Sequence, residues 1–180
     1  ALLGMVVGGE AATRLVTALI VPLTIAGIVA LSRAAHGKVS ASAMLALPFA
    51  LSQPWAYGFL NYCMSIALAL LVAAWLVRRG SASPTARIGL AAAALVVCTA
   101  HLAGWVVLLL MAAGVELGSW PKGRSLKGVL ARNLPLLVPI VPILLWRSGS
   151  RGSGFAFVYE HDMVLAKIAA FAGALRGTWS

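Results

Sequence analysis

Between Ala43 and Val77 the chain runs for 35 residues without one charged side chain. As a single α-helix that stretch would be about 52 Å long, far more than the roughly 30 Å hydrocarbon core of a bilayer. A break is therefore required, and the decapeptide QPWAYGFLNY, Gln53 to Tyr62, supplies it. Pro54 lacks a backbone donor and Gly58 permits a turn. Gln53, Trp55, Tyr57, Asn61 and Tyr62 favour an interface or a protein-lined cavity over lipid. Ala43 to Ser52 is expected to run outward across the bilayer, and Phe59 to Val77 to return and stop at Arg78 and Arg79.

The rest of the chain fits the same picture. Hydrophobic residues make up 62% and charged residues 10%, outside the usual balance of a soluble domain. Leu15 to Leu31, bounded by Arg14 and Arg33, is about long enough to span, and Pro22 and Gly27 are positions for a bend. Ile88 to Val115 admits two readings, one tilted helix or two short segments hinged near TAHLAGW. A single crossing would put Lys122, Arg124, Lys127 and Arg132 on the face opposite Arg78, Arg79 and Arg87, against the preference for basic residues in cytoplasmic loops. The hairpin is therefore expected, its turn buried in protein or facing water. Leu134 to Trp146, with Pro135, Pro139 and Pro142, reads as a short, distorted crossing. HDMVLAKIAAFAGALRG reads as an interfacial helix or the start of another span. The expected fold is all-α, a polytopic transmembrane helical bundle with short broken or re-entrant helices. It forms one transmembrane region over 1–180, a piece of a longer chain without a separate soluble domain.

The net charge of +10 lies in short loops between apolar runs. No basic face interleaved with aromatic residues exists, so nucleic acid is not an expected partner. Membrane lipids are, because the basic loops suit a face rich in anionic headgroups. The chain is expected to cross a membrane several times, with these loops on its cytoplasmic face. Cys63 and Cys98 sit inside apolar runs with no partner at ligand spacing, so neither a disulfide framework nor a zinc site is expected.

This topology gathers scarce polar groups at the noncytoplasmic end. Glu10 and Arg14, spaced i, i+4, either pair to fix a helix end or leave Arg14 to hold a phosphate. His101, an imidazole in an apolar stretch, either bonds a neighbouring helix or faces a substrate cavity. Asn61 and Tyr62 either stitch helices or meet a polar headgroup. Glu160, His161 and Asp162 in YEHD are possible ligands, but consecutive residues converge poorly on one ion, so loop solvation or capping is expected and no metal site is predicted. Glu116, near the cytoplasmic end, is expected to be structural. No cofactor is predicted and a divalent-metal requirement is left open.

YGFLNYCMSIALALLVAAWLVRR, LAAAALVVCTAHLAGWVVLLLMAAGVELG and the preceding RLVTALIVPLTIAGIVALSRAAHG together resemble bacterial polytopic membrane proteins of the GT-C glycosyltransferase type, those with a GF.NY turn. The similarity covers most of residues 10 to 133. It implies sugar transfer from a polyprenyl-phosphate donor at the extracytoplasmic face, with broken helices around a lipid-accessible cavity. On that resemblance His101 and the GFLNY turn line the cavity and Arg14 approaches the donor phosphate. The family's essential acidic residue lies in a first extracytoplasmic loop, which would precede Ala1. A transporter or lipid-flipping permease, and a noncatalytic membrane assembly subunit, are the competing readings.

Overall fold

The first helix, α1 (Gly9–His36), outgrows the apolar run that predicts it at both ends. Glu10 and Arg14 extend its first turns through an i, i+4 ion pair. Thr13, Thr17 and Thr24 donate to carbonyls four residues back at 2.7–2.9 Å, which satisfies their hydroxyls inside the helix. Pro22 removes one donor without ending it. These features come from a computed structural model that describes residues 8–79, 83–118 and 126–149. Every regular element among those residues is helical.

The uncharged stretch does break. It forms α2 (Ala41–Ala46), a 3-10 turn (Leu47–Leu51), the single-turn α3 (Gln53–Ala56) and the long α4 (Leu60–Arg79). The break begins earlier than QPWAYGFLNY, because Pro48 opens the 3-10 turn and Ser52 is extended. Gly58 then turns the chain into α4 with φ at 78°, a left-handed conformation that a side chain would strain. Ser32, buried in α1, accepts from the Ser40 amide at 2.9 Å and donates to the Lys38 carbonyl at 3.1 Å. That pair of bonds folds the connection back across the end of α1.

Helices α1 and α4 run parallel. Ile20 and Thr24 share a cavity wall with Tyr62, Cys63 and Ile66, Gly27 packs on Ala67 and Leu70, and Leu31 shares a cavity with Val77. Parallel neighbours need a return path between them, and residues 41–56 provide it in short pieces. Two helices, Gly9–His36 and Leu60–Arg78, are long and apolar enough to cross a membrane.

The expected hinge is at His101. Helix α5 (Pro84–Ala100) is capped by Ser83, whose hydroxyl accepts from the Ala86 amide at 3.1 Å. It ends one residue before α6 (Leu102–Gly118) begins. Each has 17 residues, about 26 Å of helix. Trp75 lies against Gly89 and Tyr62 against His101, so α5 is antiparallel to α4. Ser65 lies against Gly104, and Val77 shares a cavity with Val115, so α6 runs parallel to α4 again.

Helix α7 (Leu126–Asn133), a 3-10 turn (Leu134–Leu137) and α8 (Ile140–Gly149) follow. Arg132 and Asn133 both bind the Glu116 carboxylate, at 2.7 and 3.2 Å. The buried Trp105 indole donates to the Leu136 carbonyl at 2.8 Å. Contacts divide the chain into two compact units, Ala1–Ile143 and Leu144–Ser180. The described part of the second is the end of α8.

Small side chains line the buried face of α4. Ser65, Ala69 and Ala73, four residues apart on α4, are fully buried. Ala69 and Ala73 pack with Leu90, Ala94, Trp105, Leu108 and Ala112 of α5 and α6. Leu45, Phe49, Ile88 and Leu110 point outward, each at least 66% exposed. The small residues let α4 approach its neighbours closely, Leu90, Trp105 and Leu108 fill the space between them, and further large apolar side chains cover the outside.

Candidate functional site

The site is built on the break at His101. That residue is extended, with φ −168° and ψ 136°, the backbone form of a helix N-cap. Its amide closes α5 by donating to the Val97 carbonyl, and its carbonyl accepts from the Gly104 amide, both at 3.1 Å. Its ring opens α6, with Nδ1 accepting from the Ala103 amide at 3.1 Å. One histidine therefore satisfies backbone groups of both helices. An accepting Nδ1 has its lone pair engaged, so the neutral ring carries its proton on Nε2. Nε2 has no protein partner among the described residues. His101 is exposed, and this Nε2 is a donor.

Tyr62 fixes the ring from the other side. The two rings meet edge to face, 5.7 Å between centroids and 85° between planes, a favoured aromatic geometry. The contact depends on close approach one turn deeper, where Gly104 lies against the buried Ser65. The Ser65 hydroxyl is satisfied by the Tyr62 carbonyl at 2.7 Å, so it makes no polar demand on α6.

Gly58, Phe59, Leu60, Asn61, Tyr62 and His101 line a cavity of 340 Å³. The predicted meeting of Asn61, Tyr62 and His101 is therefore present in the geometry. These lining residues bring no carboxylate or thiolate beside the imidazole, and what they offer is hydrogen bonding from Nε2, the Tyr62 hydroxyl and the Asn61 amide. Tyr62 also lines a second cavity of 310 Å³, whose walls include Ile20, Phe49, Pro54 and Ile66 and whose polar groups are Thr24 and Ser52. The two cavities thus share one tyrosine as their partition, with His101 and Asn61 on one side and a slot between Ile20, Phe49 and Ile66 on the other.

Glu10 and Arg14 lie toward the same end of the bundle, because α1 runs parallel to α4 and reaches past Ile20. They do not line the His101 cavity. They form a 2.6 Å ion pair with side chains 80% and 79% exposed, an arrangement of small energetic weight. Glu160, His161 and Asp162 lie outside the described residues. Sequence reasoning missed the apolar slot and the capping role of His101. Thr24 and Ser52, isolated hydroxyls in apolar runs, were the available signal for the slot. Comparison of the chain with protein families, with curated proteins and with solved structures finds no match.

Proposed function

We propose that this chain is a multi-pass membrane protein that binds a lipid-linked sugar phosphate at the His101 end and transfers its sugar. The observation that carries this reading is the pair of cavities sharing Tyr62, one holding the His101 imidazole and the Asn61 amide, the other walled by Ile20, Phe49, Pro54 and Ile66. An amphiphile needs both. The apolar slot suits a polyprenyl tail, while Nε2 of His101, Asn61 and the Tyr62 hydroxyl suit a phosphate and sugar. A hydrogen bond to phosphate strengthens as the bond to the anomeric carbon breaks and charge gathers on the leaving group. Arg14 has to exchange Glu10 for the phosphate if it is to take part.

Membrane residence is supported by the small-residue face of α4 and by the apolar exterior, which water would penalise and lipid tails would not. Sidedness follows from charge. With α1, α4 and α6 parallel and α5 antiparallel to them, Arg33, Lys38, Arg78 and Arg87 come to one end, with Arg132 tied there through Glu116. That end is the cytoplasmic one by the positive-inside rule. In a chain with Cys63 and Cys98 replaced by Ala, Tyr57→Cys is expected to react with an impermeant maleimide added to intact cells. Lys38→Cys is expected to react only after lysis. The reversed pattern would place the proposed site in the cytoplasm.

The activity is tested in membranes containing the chain and a polyprenyl-phosphate-linked hexose labelled in the sugar. Loss of label from the lipid fraction to an acceptor is the expected result. A donor that crosses the bilayer with its sugar still attached identifies a flipping permease, which broken helices also suit. A donor that neither reacts nor moves leaves the noncatalytic assembly subunit.

A further inference from the structure

A third cavity, of 560 Å³, opens at the opposite, basic end, between α1, α2, α4 and α6. Leu31, Leu70, Val77 and Met111 give it apolar walls, and Ser40 and Ser42 line it as well; the Ser40 hydroxyl is held by Ser32 and the Ala43 amide, while the exposed Ser42 hydroxyl bonds only Ser40 among the described residues, at 2.9 Å. Three cations flank it in the chain. Arg33 follows the lining residue Ser32, Arg78 follows the lining residue Val77, and the Lys38 carbonyl is held by the Ser32 hydroxyl. None of the three has a carboxylate partner among the described residues. The two described carboxylates are committed elsewhere, Glu10 to Arg14 and Glu116 to Arg132 and Asn133.

An apolar ligand would fill the walls and make no use of the exposed cations beside them. A small soluble anion would do the reverse. A molecule with an acyl chain and an anionic head satisfies both, and the leaflet at this end supplies it. We propose that the cavity binds one anionic phospholipid, with a chain between α1, α4 and α6 and its phosphate at Ser42, whose hydroxyl turns to it from Ser40, within the field of Arg33, Lys38 and Arg78. The proposal rests on the membrane reading above and not on sugar transfer.

Gly114 gives the test, because it lines the cavity and a side chain built there meets nothing within 4 Å. Gly114→Phe therefore puts a ring into the cavity from a position where the Cβ itself meets no neighbour, and Gly114→Ala leaves the cavity open. The whole chain is extracted in detergent and equilibrated with equal amounts of phosphatidylglycerol and phosphatidylcholine. Retained lipid is then read by native mass spectrometry. One phosphatidylglycerol is expected on the unaltered chain and on Gly114→Ala, and none on Gly114→Phe. Replacing Arg33 and Lys38 by Gln is expected to lower the preference for phosphatidylglycerol about tenfold. Equal retention of the two lipids, retention by Gly114→Phe, or equal loss in Gly114→Ala overturns the assignment. Release of the chain from membranes by an alkaline carbonate wash would instead defeat the membrane reading.

Discussion

Gly104→Ala is expected to destabilise the chain, whereas the same substitution at Gly114, ten residues along the same helix, is expected to be neutral or stabilising. A Cβ at Gly104 would lie 2.5 Å from the Ser65 Cβ and 2.7 Å from its carbonyl carbon. Neither atom moves with a rotamer change, so α6 itself must shift away from α4. Overpacking of this kind costs about 1–3 kcal/mol. Alanine's helix propensity offsets little of it, because Gly104 sits in the first turn of α6. A net loss of about 2 kcal/mol lowers the thermal midpoint by about 4–8 °C for a chain of this size. Gly114 has open space around it, so alanine there gains up to about 1 kcal/mol from propensity alone. Thermal unfolding of both variants in one detergent, followed by circular dichroism, checks the pair. Equal midpoints would mean that α4 and α6 do not approach at Ser65. The displacement in Gly104→Ala also moves His101, three residues away, off the face of Tyr62.

Charge and the breakers Pro and Gly made the segmentation legible. Arg14 and Arg33 bracket the apolar part of α1, Arg78 and Arg79 end α4, and the basic loops select a hinge at His101 over one long rod. What the sequence hid is which helix faces meet. A soluble helix announces its buried face by an apolar stripe. In α4 both the buried Ala73 and the partly exposed Leu70 and Leu71 are apolar, so no stripe exists to read. The usable signal is side-chain size: Ser65, Ala69 and Ala73 at i, i+4, i+8 mark the face turned to α5 and α6, and Ala67 and Ala74 the second buried face, Ala67 lying against Gly27 of α1. Other links were beyond local pattern altogether. The Trp105 to Leu136 hydrogen bond joins residues 31 apart in sequence, and nothing near either residue predicts it. The 3-10 turn at Pro48 was legible in principle, since a proline inside an apolar run is as strong a breaker as Pro54.

At His101 the structural and chemical roles separate by substitution. The Nδ1 lone pair caps α6 and the Nε2 proton faces no protein group. His101→Asn retains the first function, because asparagine is among the best N-caps, and it removes the imidazole. His101→Ala removes both. Both variants lose the ring contact with Tyr62, worth about 0.5–1.5 kcal/mol, and the alanine variant is expected to lose about 1 kcal/mol more with the cap. Sugar transfer behaves differently if Nε2 donates to the departing phosphate. Hydrogen bonds to charged groups are worth about 1.5–3 kcal/mol, so both variants are expected to turn over about ten- to a hundredfold more slowly. The loss should fall on kcat more than on KM, because the bond tightens only as charge develops. A merely structural histidine predicts another outcome, in which activity falls only in proportion to instability, less in His101→Asn than in His101→Ala. Tyr62→Phe supplies the companion measurement. It keeps the edge-to-face ring contact that positions the imidazole and removes only the hydroxyl. A fall in transfer with unchanged melting assigns that hydroxyl to the ligand, whereas wild-type transfer confines Tyr62 to holding the ring of His101 in place.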